Sequence, residues 1–308
     1  MMRYDVTVIG EIYQDHVFSG FATWPSPGEE IFTEQYEWEL GGGAVTTACA
    51  LARLGRKVQL IGVAGKPDFA RMAERLEQFN VDTDGISRSK TRSGVTVSIS
   101  TPQDRSFFTY RGANAELEDR LMRDDKLASN IASSRHVHLA FPLSAAVAKK
   151  LLPIATANGT TTSLDVGHDV GWLRNEASID VLRAIDYTMP NEKEAAMLSG
   201  DPEQYLSRCR DLGLKMAVVK LGRKGAVMVC NKVEYRVSSP SVHVIDTTGA
   251  GDAFDAGFID ALLDNAPPQQ ILERACICGA MSTRAAGALG ALPTKEEIHA
   301  ILEEYYAA

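Results

Sequence analysis

The chain has 308 residues, 45% hydrophobic and 23% charged, with a formal net charge of −8. That composition is globular, with length enough to bury a core in one large α/β domain or two small ones. An acidic balance with no lysine- or arginine-rich run argues against nucleic acid or an anionic membrane as a partner, and no apolar stretch approaches the ~20 residues of a bilayer span.

The opening "MMRYDVTVIGEIYQD" has neither a basic segment nor an apolar stretch suited to secretion, and the five scattered cysteines (Cys49, Cys209, Cys230, Cys276, Cys278) suit a reducing compartment. A cytoplasmic protein is expected. "YDVTVIG" is a short β-branched run ending in glycine, and similar runs recur at "VQLIGVAG", "HVHLAF", "TTSLDVG", "DYTMP" and "MAVVKLG". These are expected as strands buried on both faces. Helical patterns such as "AVTTACALARLG", "SAAVAKKLLPIATANG" and "EKEAAMLSG" lie between them, so right-handed βαβ units should build a mostly parallel sheet with its ligand edge at the carboxyl ends of the strands.

Two stretches break this rhythm. Glu11 to Leu40, with "EEIFTEQYEWEL", and Arg92 to Arg111, with "GVTVSISTPQDRSFFTYR", alternate apolar and polar residues, the second around a "PQD" turn. Neither is long enough for a domain. They are expected as strands of a small projecting sheet, a lid over the site, inserted in a single domain spanning 1–308. Asp15 in the first is either a turn residue or a carboxylate placed to accept hydrogen bonds from hydroxyls.

"LGGGAVTTACALARLG" is a glycine turn into a helix, where Gly41 and Gly42 let a ligand lie against the backbone. It fits neither of the glycine motifs for dinucleotides or Walker-type nucleotide sites, and "GVAGKP" fails the latter too. His136 and His138 share a strand face, but no further His or Cys spacing joins them into a zinc site; Cys276 and Cys278 point apart on a helix and are expected as buried thiols.

In "PNEKEAAML", Asn191 and Glu194 have capping-box spacing; the functional alternative puts Glu194 near phosphates, directly or through water on Mg²⁺. "VVKLGRKGAVMV" turns between Gly222 and Gly225, either as a tight hairpin or as a nucleotide contact. In "DTTGAGDAFDAGF", Val242 to Ile245 are expected as a strand end and Ala253 to Leu263 as a helix, with Gly249, Ala250 and Gly251 as the turn between. Backbone N–H groups of that turn and helix start form a concave anion site. Asp252 either caps the helix or, held ionised by the helix dipole, faces a group reacting beside a bound phosphate.

Together these residues resemble the ribokinase-like, or PfkB, carbohydrate kinases. "DTTGAGDAFDAGF" matches that family's C-terminal signature; "GEIYQD", "RGANAEL", "PNEKEA", "KLGRKGA" and "GALGALPTKEEI" match its other motifs in order over nearly the whole chain. The resemblance implies a ribokinase-like α/β fold with a small β-sheet lid and transfer of the γ-phosphoryl group of ATP to a primary hydroxyl. It implies Asp252 as the base, Gly249 to Asp252 as the anion hole, Asn191 and Glu194 serving Mg²⁺ and phosphate, and Lys220, Gly222 and Gly225 by the nucleotide. Asp15, Tyr13, Gly41, Gly42, Thr46 and Asn114 would belong to the acceptor site, and a monovalent cation such as K⁺ would sit near Asp246 and Thr248. The chain departs from the ribokinase pattern at three polar sugar contacts, with Thr46 and Tyr13 where asparagines are usual and Ala140 near the place of a glutamate. Ribose then becomes a poor expectation, and the rings of Tyr13, Phe18, Phe21 and Trp24 favour a larger or less polar acceptor, a nucleoside among them. A nucleoside kinase and a non-catalytic sugar or nucleotide sensor therefore stand beside the sugar kinase reading, and lid strands pairing between subunits imply a homodimer.

Overall fold

A computed structural model describes residues 2–101 and 105–306. In chain order its strands are β1 (Tyr4–Gly10), β2 (Tyr13–Ser19), β3 (Gln35–Gly41), β4 (Val58–Gly65), β5 (Val81–Asp82), β6 (Ile86–Ser89), β7 (Gly94–Ser100), β8 (Arg105–Tyr110), β9 (Ser134–Ala140), β10 (Thr161–Asp165), β11 (Tyr187–Thr188), β12 (Met216–Lys220), β13 (Ala226–Cys230) and β14 (Val233–Val237). Ten of these form the central sheet, ordered β14-β13-β12-β11-β10-β9-β1-β4-β5 with β6 also on β4. β1 pairs in parallel with both β4 and β9, so Val8 stands between Leu60 and His138. Only the β12-β13-β14 edge is antiparallel.

All six expected strand runs lie in this sheet. Their alternation splits the core in two: Val6, Val8, Val218 and Met228 face one cluster, while Ile9, Val137, Leu139, Val219 and Val227 face the other. Each aliphatic side chain buried in this way stabilises the fold by roughly 1.5–3 kcal/mol. The first face is covered by the helices Gly43–Arg53, Ala250–Leu263 and Pro268–Ser282, the second by helices that include Ala145–Ala157 and Pro202–Asp211. The far end of the Ala250–Leu263 helix is clamped by buried charge: Arg56 donates to Asp260 at 2.6 Å, and Arg274 pairs with both Asp260 and, at 3.0 Å, Asp264. That clamp fixes the helix along its axis and so places its first turn.

The alternating stretches form a second sheet, ordered β3-β2-β7-β8. β2 joins the two stretches, with Asp15 opposite Glu39 of β3 and Thr96 of β7. The turn expected at 102–104 lies outside the described residues. On this sheet Phe18 packs on Tyr36 and Trp24 stacks on Phe108, and Tyr36, Trp24, Phe107 and Phe108 remain about half exposed.

One local expectation is corrected. Residues 242–245 form no strand, because β14 already closes the sheet edge and ends at Val237. The segment instead runs open, with Val244 and Ile245 exposed, and is tied through the amides of Ile245 and Asp246 to the Thr283 carbonyl. The five cysteines are free and buried. Among the described residues no helix is long and apolar enough to cross a membrane.

Candidate active site

The Ala250–Leu263 helix begins three residues earlier than its apolar rhythm suggests, so Ala250 and Gly251 lie in its first turn rather than before it. Gly249 caps it at φ +73°, a left-handed conformation; a Cβ there would also stand 2.7 Å from that of Ala288. The first N–H groups of the helix lack helical acceptors, and Ala250, Gly251 and Asp252 line a cleft of about 1030 Å³. Asp252 lies within the first turn, past the Gly249 cap. Its Oδ1 lies against the backbone of Gly43, 2.8 Å from where a Cβ would sit. Burial, then the nearby charges of Asp165 and Glu194, push its carboxyl up to about 7 despite the opposing Lys220 ammonium.

Strand alternation supplies the groups beneath that turn. His136 and His138 of β9, Ser163 and Asp165 of β10 and Lys220 of β12 share the parity of the residues facing the Ala250–Leu263 helix. Lys220 Nζ donates to Asp165 Oδ2 at 2.6 Å and lies 3.1 and 3.2 Å from the two oxygens of Asp255. His136 bonds Thr161 and Ser163, and His138 bonds Ser163. Burial holds these imidazoles down to about 3 and about 4, so both are neutral inside the core.

In "PNEKEA" the capping-box reading is realised. Asn191 Oδ1 accepts from the amides of Lys193 and Glu194, and Glu194 accepts from the Asn191 amide at 2.8 Å, a complete capping box. Yet both residues line the cleft. Gly222 and Gly225 bracket a hairpin that also faces it; at Gly225, φ is +93° and a Cβ would fall 1.9 Å from the Val237 carbonyl oxygen. Val242, Val244, Cys276, Gly279 and Thr283 complete this wall, and sequence reasoning missed them. An exposed apolar segment just before the glycine turn was the available signal. Asp165 and Asp255 were missed as well, although a carboxylate ending a parallel strand stands on the expected ligand edge.

The residues expected at an acceptor site are not gathered in the same way. Tyr13 and Ala140 line the cleft, and Tyr13 donates at 2.6 Å to Glu11, which also pairs with Arg111. Asp15 instead presses on Gly41, in a separate cavity of about 30 Å³ shared with Glu39, Thr96, Asp246 and Thr248. Burial and then Glu39 push its carboxyl up to about 6, against a hydrogen bond with Thr96. Thr46 is buried behind Gly249, its hydroxyl 3.3 Å from the Gly42 carbonyl, and neither it nor Gly41 and Gly42 lines the large cleft. Asn114 is also away from it: its carboxamide accepts from the Ile12 amide and donates to the Ile12 carbonyl, both at 2.9 Å. Asp246 accepts from the amide and hydroxyl of Thr248 and from the Gly287 amide, fastening the loop before the anion turn.

The chain is 30% identical to a ribokinase of Haemophilus influenzae over 98% of this chain and 99% of that protein. A solved Escherichia coli structure described as a ribokinase II with ATP and Mg²⁺ matches at TM-score 0.83 and 25% identity, covering 98% and 99% of the two chains. A Burkholderia thailandensis nucleoside kinase solved with inosine shares the fold at TM-score 0.82 and 17% identity, covering 98% and 99%. The pfkB family carbohydrate kinase model matches residues 4–295. With its motifs in order, its ribokinase-like fold and a match across nearly its full length, the chain belongs to the pfkB family of carbohydrate kinases, phosphotransferases that act on hydroxyl groups.

Proposed function

We propose that this chain is an ATP-dependent sugar kinase that transfers the γ-phosphoryl group to a primary hydroxyl, with Asp252 as general base and the backbone of Gly249 to Asp252 as anion hole. The observation that carries this reading is the position of Asp252: it lines the large cleft together with Ala250 and Gly251, in the first turn of a helix. Phosphoryl transfer passes through a loose transition state, so the protein contributes mainly alignment and charge neutralisation. The anion hole holds the oxygens of the moving phosphate. Asp252 accepts the acceptor's proton late, as its oxygen bonds to phosphorus.

Asn191 and Glu194 form an all-oxygen carboxylate and amide set already tied to each other, which suits a hydrated Mg²⁺ contacted through water better than a bare ion. When bound, Mg²⁺ supplies charge neutralisation on the nucleotide phosphates. The Gly222–Gly225 turn and Lys220 border the nucleotide, and a monovalent cation such as K⁺ belongs at the Asp246–Thr248 loop. The second sheet acts as a lid on a single domain, excluding water as a competing acceptor. Its exposed aromatic residues support a homodimer through the lid. On the acceptor side Tyr13 takes the place of a polar contact, and this keeps a nucleoside in view as the acceptor. A sensor without catalysis has less support, since Asp252 and Glu194 share one cleft.

The test is ATP consumption against a panel of sugars, sugar phosphates and nucleosides. Turnover with one sugar acceptor and little ATP hydrolysis without it is the expected result; turnover only with nucleosides transfers the assignment to a nucleoside kinase. Binding without turnover for every acceptor removes the kinase reading.

A further inference from the structure

The first turn of the Ala250–Leu263 helix stands over a concentration of carboxylates. Oxygens of Asp165, Asp252 and Asp255 lie within 4.8 Å of one another. Asp165 and Asp255 are buried to 9% exposure or less, as is Glu194 nearby. Such a group in a low-dielectric site repels itself, and its members cannot all ionise unless a cation is supplied. The chain supplies one. The Lys220 ammonium sits between Asp165 and Asp255, and a side chain on Gly251 would reach within 3.4 Å of it, so the charge lies just below the anion turn. The Lys220 backbone is fixed too, through its amide to the Pro190 carbonyl at 2.9 Å and through its pairing with Ala226.

We propose that Lys220 is a positioning residue for phosphoryl transfer, a tethered internal cation whose pairing with Asp165 leaves Asp252 free to stand as the carboxylate that receives the acceptor's proton. This rests on the kinase reading above and deepens it, since that reading placed Lys220 only beside the nucleotide. The charged groups facing Asp252 are Asp165 from β10, Lys220 from β12, Glu194 from the Glu192–Ser199 helix and Asp255 from its own helix; the Gly43–Arg53 helix brings the Gly43 backbone to its carboxylate and the Thr47 hydroxyl to its carbonyl. Of these only Lys220 carries positive charge, and although burial works against it, Asp165, Asp255 and Glu194 hold it protonated well above its ordinary value. Burial raises Asp165, but Lys220 and the hydrogen bonds outweigh this and hold it well below the usual carboxylate range. A neutralised Asp165–Lys220 pair beside Asp252 is the working arrangement.

The experiment compares the acidic limb of kcat against pH in the wild type, Lys220→Met, Asp165→Asn and the double variant. Removing the cation should move the limb to higher pH by about one unit or more, a tenfold loss of rate at any pH on the limb. Removing Asp165 should move it to lower pH, and removing both should return it close to the wild-type position. Lys220→Arg should keep the limb where it was. Limbs that coincide in all variants, or that move in one direction for both single changes, overturn the proposal; if Lys220→Met does not fold, the Asp165→Asn and double variants still give the sign. The same order is read without turnover, from Tm against pH for each protein with and without Asp252→Asn. A wild type that phosphorylates nothing therefore removes the kinase reading while leaving the Lys220 proposal decidable.

Discussion

At the end of the cleft proposed to hold the phosphates, Asp165, Glu194, Lys220 and Asp252 come from four separate parts of the chain and line one space. The residues expected for the acceptor, Tyr13 and Asp15 on the second sheet and Asn114 on the short helix after it, are divided: Tyr13 reaches the cleft, Asp15 turns into a small cavity over Gly41, and Asn114 is consumed by the Ile12 backbone. The first group hangs on strand ends and on two helices, one of them clamped at its far end, whereas Tyr13 and Asp15 hang on a sheet that is exposed along much of its length. Side chains held by strand ends and packed helices are fixed more tightly than those on an exposed sheet.

The sharpest way to break this contrast is Asp252→Asn. It should keep the fold and ATP binding and lower kcat by about 10²- to 10⁴-fold, or roughly 3 to 5 kcal/mol of barrier. Near-normal turnover would remove the phosphate end's claim to the chemistry. Because Asp252 titrates near about 7, wild-type kcat should rise with pH through that value. The folded protein holds this proton more tightly than the unfolded chain does, so the stabilisation is complete below the ordinary carboxylate range and is lost as pH rises through about 7. The asparagine variant escapes that loss, and its Tm should gain on the wild type between about pH 4 and pH 7; an unchanged Tm difference contradicts the burial of the carboxylate.

Gly225→Ala comes next. It forces a side chain onto the Val237 carbonyl at a positive φ, and should cost about 2 to 4 kcal/mol in urea unfolding while raising the KM for ATP more than that for the acceptor. Asn114→Ala leaves the Ile12 amide and carbonyl without their partners in a buried place and should cost about 1 to 3 kcal/mol, read in the same way. Equal stability would mean that Asn114 is no clamp. The smallest effect is expected of Tyr13→Phe, which deletes one hydrogen bond to Glu11, about 0.5 to 1.5 kcal/mol, and should change acceptor KM with ATP KM unmoved. A change in both constants would blur the division between the two ends.

The same division governed what could be read from the chain alone. Strand runs such as "VQLIGVAG" and "MAVVKLG" are buried on both faces and announce themselves by composition, and the turn into Asp252 is a local event written in thirteen consecutive residues. The start of its helix was misplaced because Ala250 and Gly251 are too small to show an apolar rhythm although they are already helical. The Asp165–Lys220–Asp255 arrangement was missed for another reason: its members lie 35 and 55 positions apart, and only the parity of two strands against one helix brings them together. Residues 242–245 were mistaken for a strand because a β-branched run looks the same whether it pairs or lines a cleft. Asp15 and Asn114 show that a motif names a position without saying whether its side chain looks outward or is used up by its neighbours.

The bond pair between Asn114 and Ile12 joins the point where the first excursion departs to the point just after the second returns. With β2 and β7 laced together beyond it, the two loops are stitched at the root and again along their length, so they behave as one leaf on a shared pivot. A substitution at the root, such as Asn114→Ala, therefore removes a bond that both excursions share.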